Sequence, residues 1–319
     1  MSIQGRNTTV GLGEESTWGT EVARSACIAV ASVELAGKAS YLQSDSLLHG
    51  SGASANAGHM TLEKIELGGS IEAPLFYEGG SAIGLLLKHA LGTVSTAGAG
   101  PYTHTFTLAG ALPTGLTLEV IRGSTALAEE IYGAKISRLE LSVSAGQQMR
   151  AKADIIAKNQ QARATGGTAS IGTRYPVLHK HAGTNFTFNS VNYATVTSFK
   201  LVIDNKLTRE QVLGSEYTQE PVRSQHQEVT VEIELNAVAE TLYIAHLAGT
   251  EASGSYSFTD GTNTLAFTFH NLKVIEYGDP ISGPGTIKQK VKFRALLGSS
   301  TNYCLSVALT NSKSSAVTD

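Results

Sequence analysis

The chain has 319 residues, of which 41% are hydrophobic and 16% are charged. It carries 24 Lys and Arg against 27 Asp and Glu, and the net charge of −3 provides no attraction for nucleic acid or anionic lipid. The first residues lack the basic and apolar regions of a signal peptide, and the apolar runs are too short to cross a bilayer. This composition argues against a dedicated nucleic-acid binder and predicts a soluble protein of two domains without membrane insertion.

Most of the chain alternates apolar and polar residues between clusters of Gly, Thr, Ser and Asn, a pattern typical of short β-strands. Residues 37–63 have little periodicity, which predicts a long loop with a function. Pro74 lies in the strand that follows and predicts an edge or a bulge, because proline cannot donate to a sheet. Two windows, at about residues 80–91 and 238–248, show helical periodicity and end at glycine. We therefore predict a mainly β fold with one short helix per repeat (α+β).

The two helices end in similar sequences, HALGT at 89–93 and HLAGT at 246–250, about half the chain apart. A strand rich in Thr and aromatic residues follows each helix, at 102–106 and at 255–258, and a hairpin and a longer strand complete each copy. A repeated order of elements indicates one folding unit used twice.

The domain boundaries follow from this repeat. We expect a first domain at residues 1–160 and a linker rich in Gly, Ala and Thr at 161–174. A second domain at 175–309 and a flexible C-terminal tail at 310–319 complete the predicted organisation.

Motifs for enzyme chemistry are missing from the sequence. Residues 11–13, GLG, begin like a dinucleotide fingerprint, but a third glycine, a buried strand and a helix do not accompany them. The chain contains neither a P-loop nor a nucleophile elbow. His179 and His181 have no acidic or Cys neighbour that would complete a tetrahedral metal site. We predict no enzyme activity and no cofactor, with a hydrolase that uses strand carboxylates as an alternative.

Charged residues alternate along several strands, so each set lies on one face. Two interpretations are open: a basic stripe that follows a phosphate backbone, or cross-strand pairing with glutamates of the same repeat or of a neighbouring chain. We favour pairing. The residues of this charge ladder are Glu72, Glu228, Glu232, Glu234, Lys288, Lys290, Lys292 and Arg294.

Residues 11–20, GLGEESTWGT, resemble the N-terminal signature G-x-G-x-E-x-T-[WY]-G-T of bacteriophage tail tube proteins. Residues 196–205, VTSFKLVIDN, and LGS at 213–215 resemble the second half of that family. The resemblance implies two tandem β-sandwich or barrel domains of the tail tube type, which contribute strands to an inner tube barrel. It further implies a structural subunit that forms trimeric rings with pseudo-sixfold symmetry, stacked into a conduit for DNA ejection.

The resemblance also implies partners and a location. The subunit would contact copies of itself, a tape-measure protein, a tail terminator and tail-tip or baseplate proteins, and DNA would pass through without specific binding. Assembly in the host bacterial cytoplasm and residence in the virion tail follow. Candidate assembly contacts are Trp18, Glu14, Leu47, Leu48 and Leu213, and the charge ladder would face the lumen or a neighbouring strand. Alternatives are a tube subunit of a secretion or bacteriocin-like device and a β-rich glycan-binding or receptor-binding module.

Overall fold

The computed structural model describes residues 5, 8–43, 60–78, 82–123, 127–163, 167, 174–237, 239–280, 284–298 and 301–316. Two α-helices lie in this part of the chain, α1 (Ile83–Leu91) and α2 (Thr241–Ala248), together with a 3₁₀ turn at His179–His181. The strands are β1 (Thr9–Glu15), β2 (Ala26–Ile28), β3 (Ser32–Gln43), β4 (Met60–Pro74), β5 (Gly92–Ala97), β6 (Tyr102–Leu108), β7 (Gly115–Ile121), β8 (Ala128–Ser144), β9 (Arg150–Ala157), β10 (Asn159–Arg163), β11 (Ala182–Phe188), β12 (Val191–Tyr193), β13 (Val196–Asp204), β14 (Leu207–Thr208), β15 (Val222–Arg223), β16 (Glu228–Asn236), β17 (Glu251–Thr259), β18 (Thr264–Gly278), β19 (Lys288–Leu296) and β20 (Leu305–Asn311). The predicted mainly β fold with one short helix per repeat is confirmed.

A continuous antiparallel sheet of eight strands runs through both halves of the chain. Its order is β3-β4-β9-β8-β13-β16-β19-β18. The first four strands come from the first half, β1 to β10, and the last four from the second half, β11 to β20. The halves join where β8 pairs with β13, with Leu141 opposite Leu201. We refer to this eight-stranded layer as the joined sheet.

The long strands β8 and β18 each serve two layers. Residues 128–134 of β8 pair with β7 and β10, whereas its later residues pair with β9 and β13 in the joined sheet. In the same way the start of β18 pairs with β17 and β20, and its end pairs with β19. A β-bulge interrupts each strand near the change of layer, as expected where a strand bends.

The pairing scheme shows which strands of the two halves are equivalent. β1 pairs with β7 in the first half as β11 pairs with β17 in the second, so β7 and β17 correspond. The predicted match of residues 102–106 with 255–258 is therefore wrong. Residues 102–106 belong to β6, which forms an additional hairpin with β5 and pairs across the halves with β20.

The core differs between the halves. Aliphatic side chains dominate in the first half, where the apolar side chains of α1 are all buried. Ring contacts dominate in the second half, where Phe199 lies 4.9 Å from Tyr256 and 5.6 Å from Phe267 between ring centres. Glycines end both helices as predicted, and Gly249 adopts the left-handed conformation typical of that position.

Several predicted boundaries differ from the structure. The loop predicted at 37–63 begins and ends in strand, because β3 continues to Gln43 and β4 starts at Met60. Pro74 ends β4, beyond the last pair of that strand with β3 at Glu72, so no hydrogen bond to β3 is lost there. Strand β10 covers residues 159–163, where the linker was predicted to start.

The predicted flexible tail is wrong for its first residues. Strand β20 extends to Asn311, a buried side chain whose Nδ2 donates to the carbonyl oxygen of Tyr77 at 3.0 Å. The backbone N–H and the hydroxyl of Ser312 donate to the carboxylate of Glu78. Residues 310–316 are thus bound to the first half, because their polar groups find partners there.

Candidate assembly surfaces and the charged sheet face

Strand alternation gives the joined sheet one apolar face and one charged face. On β19, Val291 and Phe293 are buried in the core, whereas Lys290 and Lys292 point to the other side. The same alternation places Glu232 and Glu234 on the charged face of β16. The residues of the charge ladder are therefore brought together on one face, as period two requires.

Opposite charges of the ladder pair within the chain. Register places Glu232 opposite Lys292 and Glu234 opposite Lys290, with N–O distances of 3.7 and 3.8 Å. Lys288 reaches Glu234 at 2.6 Å. The pairing interpretation is thus what the geometry shows for β16 and β19, and the partners belong to the same repeat.

The alternation of charge continues across the whole sheet. Arg150 on β9 contacts Glu72 on β4 at 2.7 Å. At the join between the halves, Lys200 on β13 contacts Glu140 on β8 at 3.1 Å. Arg294 lies 3.9 Å from Glu228, which completes the ladder. These side chains stay partly exposed, so each pair adds little stability, but together they leave few unbalanced charges on the face.

The GLGEESTWGT stretch forms β1 and a tight turn. The buried carboxylate of Glu15 accepts the backbone N–H of Gly19 at 2.7 Å and that of Gly133 at 2.7 Å. The hydroxyl of Thr117 donates to the same group at 2.9 Å. This carboxylate satisfies backbone donors that the turn would otherwise leave without partners, so the stretch has a structural role.

Trp18 has partners within its own half of the chain. Its Nε1 donates to the carbonyl oxygen of Gly133 at 3.1 Å, and the ammonium of Lys158 lies 5.0 Å from the ring centre. Gly133 has φ = 67°, and a Cβ there would lie 3.2 Å from the indole ring and 2.7 Å from Lys158 Cβ. Trp18 therefore anchors the turn onto β8, and a role of Trp18 between subunits stays a prediction.

Glu14 connects β1 with the end of α1. Its carboxylate lies 2.5 Å from Lys88 Nζ and 3.5 Å from His89 Nε2. The neighbouring imidazole of His89 and the ammonium of Lys88 lower the pKa of Glu14 to about 2, against the effect of partial burial. Burial lowers the pKa of His89, although Glu14 acts in the opposite direction. Glu14 thus has partners in its own chain, and its role in assembly stays a prediction.

Of the remaining predicted contacts, Leu213 lies between β13 and β16. Leu213 is fully exposed at 103% relative accessibility, so it has no packing within the described chain. Leu47 and Leu48 lie outside the described residues. The structure does not bring Leu213 together with Trp18 and Glu14.

Asn205 is an important residue that the sequence analysis did not single out. It is fully buried, and its Nδ2 donates to the carbonyl oxygens of Ala90 at 3.1 Å and Ile136 at 3.0 Å. Its Oδ1 accepts from Arg223 at 3.1 Å and Gln227 at 2.7 Å. Through these hydrogen bonds, Asn205 connects the second half of the chain to α1 and β8 of the first half. Its position at the end of the VTSFKLVIDN motif was the only signal available.

Other predicted site types have a simple outcome. His179 and His181 lie in the 3₁₀ turn, where His181 stacks on Tyr77. Within the described ranges, no group of three or more His, Cys, Asp or Glu residues is placed to hold a metal ion. The described helices are also not long and apolar enough to cross a membrane.

The chain is similar to a known protein family over most of its length. A family model described as "Phage tail tube protein" matches residues 5–295, which include both helices and the joined sheet except for Leu296 at the end of β19. No curated protein matches the chain at a significant level. The match confirms the resemblance to phage tail tube proteins, and the matched range includes the GLGEESTWGT and VTSFKLVIDN stretches. The chain belongs to the phage tail tube protein family and is a structural tail tube subunit of a bacteriophage.

Proposed function

We propose that this subunit assembles into trimeric rings with pseudo-sixfold symmetry, which stack into a tube that conducts DNA during ejection. The observation that carries the proposal is the join between β8 and β13. It unites two similar halves in one sheet and leaves β3 and β18 at the two ends. Among the described strands, none pairs with the outer edge of β3 or with that of residues 274–278 of β18. Unpaired edges favour strand addition.

The registers show that these two edges match each other as the edges of β8 and β13 do. In the first half Lys152 lies opposite both Glu72 and Glu140. In the second half Lys292 lies opposite both Glu232 and Glu276. Hence β18 corresponds to β8, and β3 corresponds to β13. The pairing inside the chain is a template for pairing between chains.

The template gives a defined register. Ser142 lies opposite Lys200 at the join inside the chain. The equivalent residues are Gly278 on β18 and Ser32 on β3, so these two residues should face each other between neighbouring chains. A head-to-tail contact of this kind generates a ring when the rotation closes. Three chains of two halves each then form six similar units around an axis.

Ring closure would place the joined sheets in one barrel. Eight strands per chain give 24 in a trimer, and β-barrels of roughly 16 to 18 strands already leave an aqueous channel. The charged face suits the lumen because its cations are paired with glutamates. Unpaired lysines would bind DNA phosphates and release the counterions of the DNA, and this attraction would oppose rapid passage.

The partners and location follow from the same proposal. Rings would assemble in the host cytoplasm along a tape-measure protein and contact a tail terminator and tail-tip or baseplate proteins at the two ends. The mature tube would reside in the virion tail. The subunit acts by assembly and has no enzymatic step.

Negative-stain microscopy and mass photometry of the purified chain over a range of concentrations test this proposal. We expect rings and stacked tubes, with a discrete species at three times the mass of one chain. Compact monomers under every condition would refute assembly. Rings with another number of subunits would refute the trimer but would still support assembly into a tube.

A further inference from the structure

The outer surface of α2 is apolar and exposed, in contrast to that of α1. Tyr243, Ile244 and Leu247 are exposed to 41, 60 and 69%, and we refer to them as the α2 face. On α1, the corresponding apolar side chains are all buried. Both helices pack on equivalent strands, α1 on β8 and α2 on β18. The difference therefore lies in what covers the helix.

The cover of α1 comes partly from β5 and β6 of the first half and partly from the second half of the chain. Asn205 and Gln227, which flank the connection between β13 and β16, direct side-chain amides at the carbonyl oxygen of Ala90. The segment after β20 approaches so closely that a Cβ at Gly84 would lie 1.5 Å from the carbonyl oxygen of Ala316. The half that pairs its β13 with β8 thus also covers part of the helix on β8.

The equivalent half is not present in the chain for α2. We propose that the α2 face binds the first half of a second copy of this chain, the same copy whose β3 pairs with β18. This inference rests on the proposed ring and extends it from a strand edge to a helix surface. The reason is that β18 of one chain and β3 of the next should pair as β8 and β13 pair inside the chain.

Two further observations favour a second copy as the occupant. The ring of Tyr243 lies 5.4 Å from that of Tyr277 on β18, so the α2 face is continuous with the unpaired strand edge. The helix sequence TLYIAHLA contains no Asp, Glu, Lys or Arg, so it offers no charge to a strongly charged partner. An apolar surface of this kind is typical of the buried centre of an interface.

Photo-crosslinking locates the partner directly. Tyr243 is replaced by p-benzoylphenylalanine, a larger aromatic residue at an exposed position, and assembled rings are irradiated and digested for mass spectrometry. We expect crosslinks between two chains that join residue 243 to peptides of the first half of the other chain. Crosslinks confined to one chain, or to the second half of another chain, would overturn the inference.

Charge substitutions test the energetic contribution of the face. Ile244→Glu and Leu247→Glu should raise the concentration at which half of the chains are assembled by about tenfold or more, because each buries a carboxylate without a partner. Ile244→Met and Leu247→Met keep the apolar character and should assemble normally. Circular dichroism and the melting temperature of the monomer show whether each variant is folded.

The outcomes separate this inference from the ring itself. If the unaltered chain forms no rings, the proposed function fails. If it forms rings, and the Glu variants are folded and assemble like the Met variants, only the α2 face inference fails.

Discussion

Individual residues in this chain stabilise a turn, a helix end and a join between halves. The signature stretch contains three glycines and a tryptophan, yet its central group is the buried carboxylate of Glu15. Three donors surround that carboxylate, two of them backbone N–H groups. Gly19 supplies one of these and adopts φ = 71°, a conformation that side chains other than glycine rarely adopt. The residues of the stretch thus form local hydrogen bonds.

Trp18 permits a test of this turn. We expect Trp18→Ala to lower the free energy of unfolding by about 1–3 kcal/mol, because it removes a partly buried ring and a hydrogen bond to Gly133. Trp18→Phe retains a ring without the N–H donor and should have a smaller effect. Urea titration of the monomer measures both. Equal stability of all three proteins would show that the contact with Gly133 contributes nothing.

Glu14 predicts a dependence of stability on pH. Its pKa is lowered from 4.5 to about 2 in the folded chain, so its contribution is present above pH 4.5 and is lost as the pH falls towards 2. The melting temperature of Glu14→Gln should therefore be lower than that of the unaltered chain at pH 7, and the difference should narrow between pH 4.5 and 2.

The control for Glu14 is a carboxylate without burial. Glu63 is exposed on β4, and Glu63→Gln should change the melting temperature little at any pH. A constant difference between Glu14→Gln and the unaltered chain over the whole pH range would contradict the ion-pair explanation.

At the scale of elements, strand pairing decides the architecture. The long strands β8 and β18 each change layer at a bulge, and this lets one strand close an outer layer and extend the joined sheet. The added hairpin of β5 and β6 makes the halves unequal, because the described residues of the second half contain no counterpart of it. This hairpin and residues of the second half both pack on α1, which is buried, whereas α2 is exposed.

The register proposed between chains can be tested with cysteines. Ser32→Cys combined with Gly278→Cys should form a disulfide between chains upon oxidation, because directly opposed residues in antiparallel strands bring their Cβ atoms within about 5.5 Å. A Cβ at Gly278 would meet no atom within 4 Å, so the substitution is tolerated. Non-reducing electrophoresis should show covalent dimers and trimers.

The matched control changes only the register. Ser32→Cys combined with Glu276→Cys places the thiols two residues apart along the strand and should crosslink much less. Each single variant controls for the native Cys27 and Cys304. Equal crosslinking of the two double variants would contradict the register, and no crosslinking in assembled rings would contradict the edge pairing.

At the scale of the whole molecule, the charge balance of the sheet would determine how strongly the proposed tube attracts DNA. The net charge of −3 is small, and the cations of the ladder have glutamate partners within the chain. Single pairs contribute little to stability because they are exposed. Their combined effect is a face that alternates in sign and does not attract a polyanion strongly.

Removing glutamates should convert this face into a DNA-binding surface. Glu232→Gln with Glu234→Gln leaves Lys288, Lys290 and Lys292 without their partners on β16, and assembled tubes should then bind duplex DNA with an affinity that falls as salt rises. Fluorescence anisotropy measures the binding. Lys290→Gln with Lys292→Gln is the opposite control and should show no gain. Equal binding by both double variants would contradict a role of the ladder.

Much of this fold can be predicted from local sequence. Alternation with period two predicted the strands, their two faces and the common face of the charge ladder, because side-chain direction in a strand depends only on position parity. Helical periodicity and terminal glycines predicted α1 and α2 to within a few residues at each end. The signature stretches were sufficient to identify the family.

Tertiary structure alone decided how the strands pair. The local sequence does not specify which strand β8 pairs with. The join with β13 and the pairing of β6 with β20 were therefore not predictable. The Asn205 hydrogen bonds and the bound C-terminal residues were missed for the same reason, since their partners are distant in sequence. Sequence determined which residues form strands and which side each residue faces, and long-range contacts determined which edges remain for assembly.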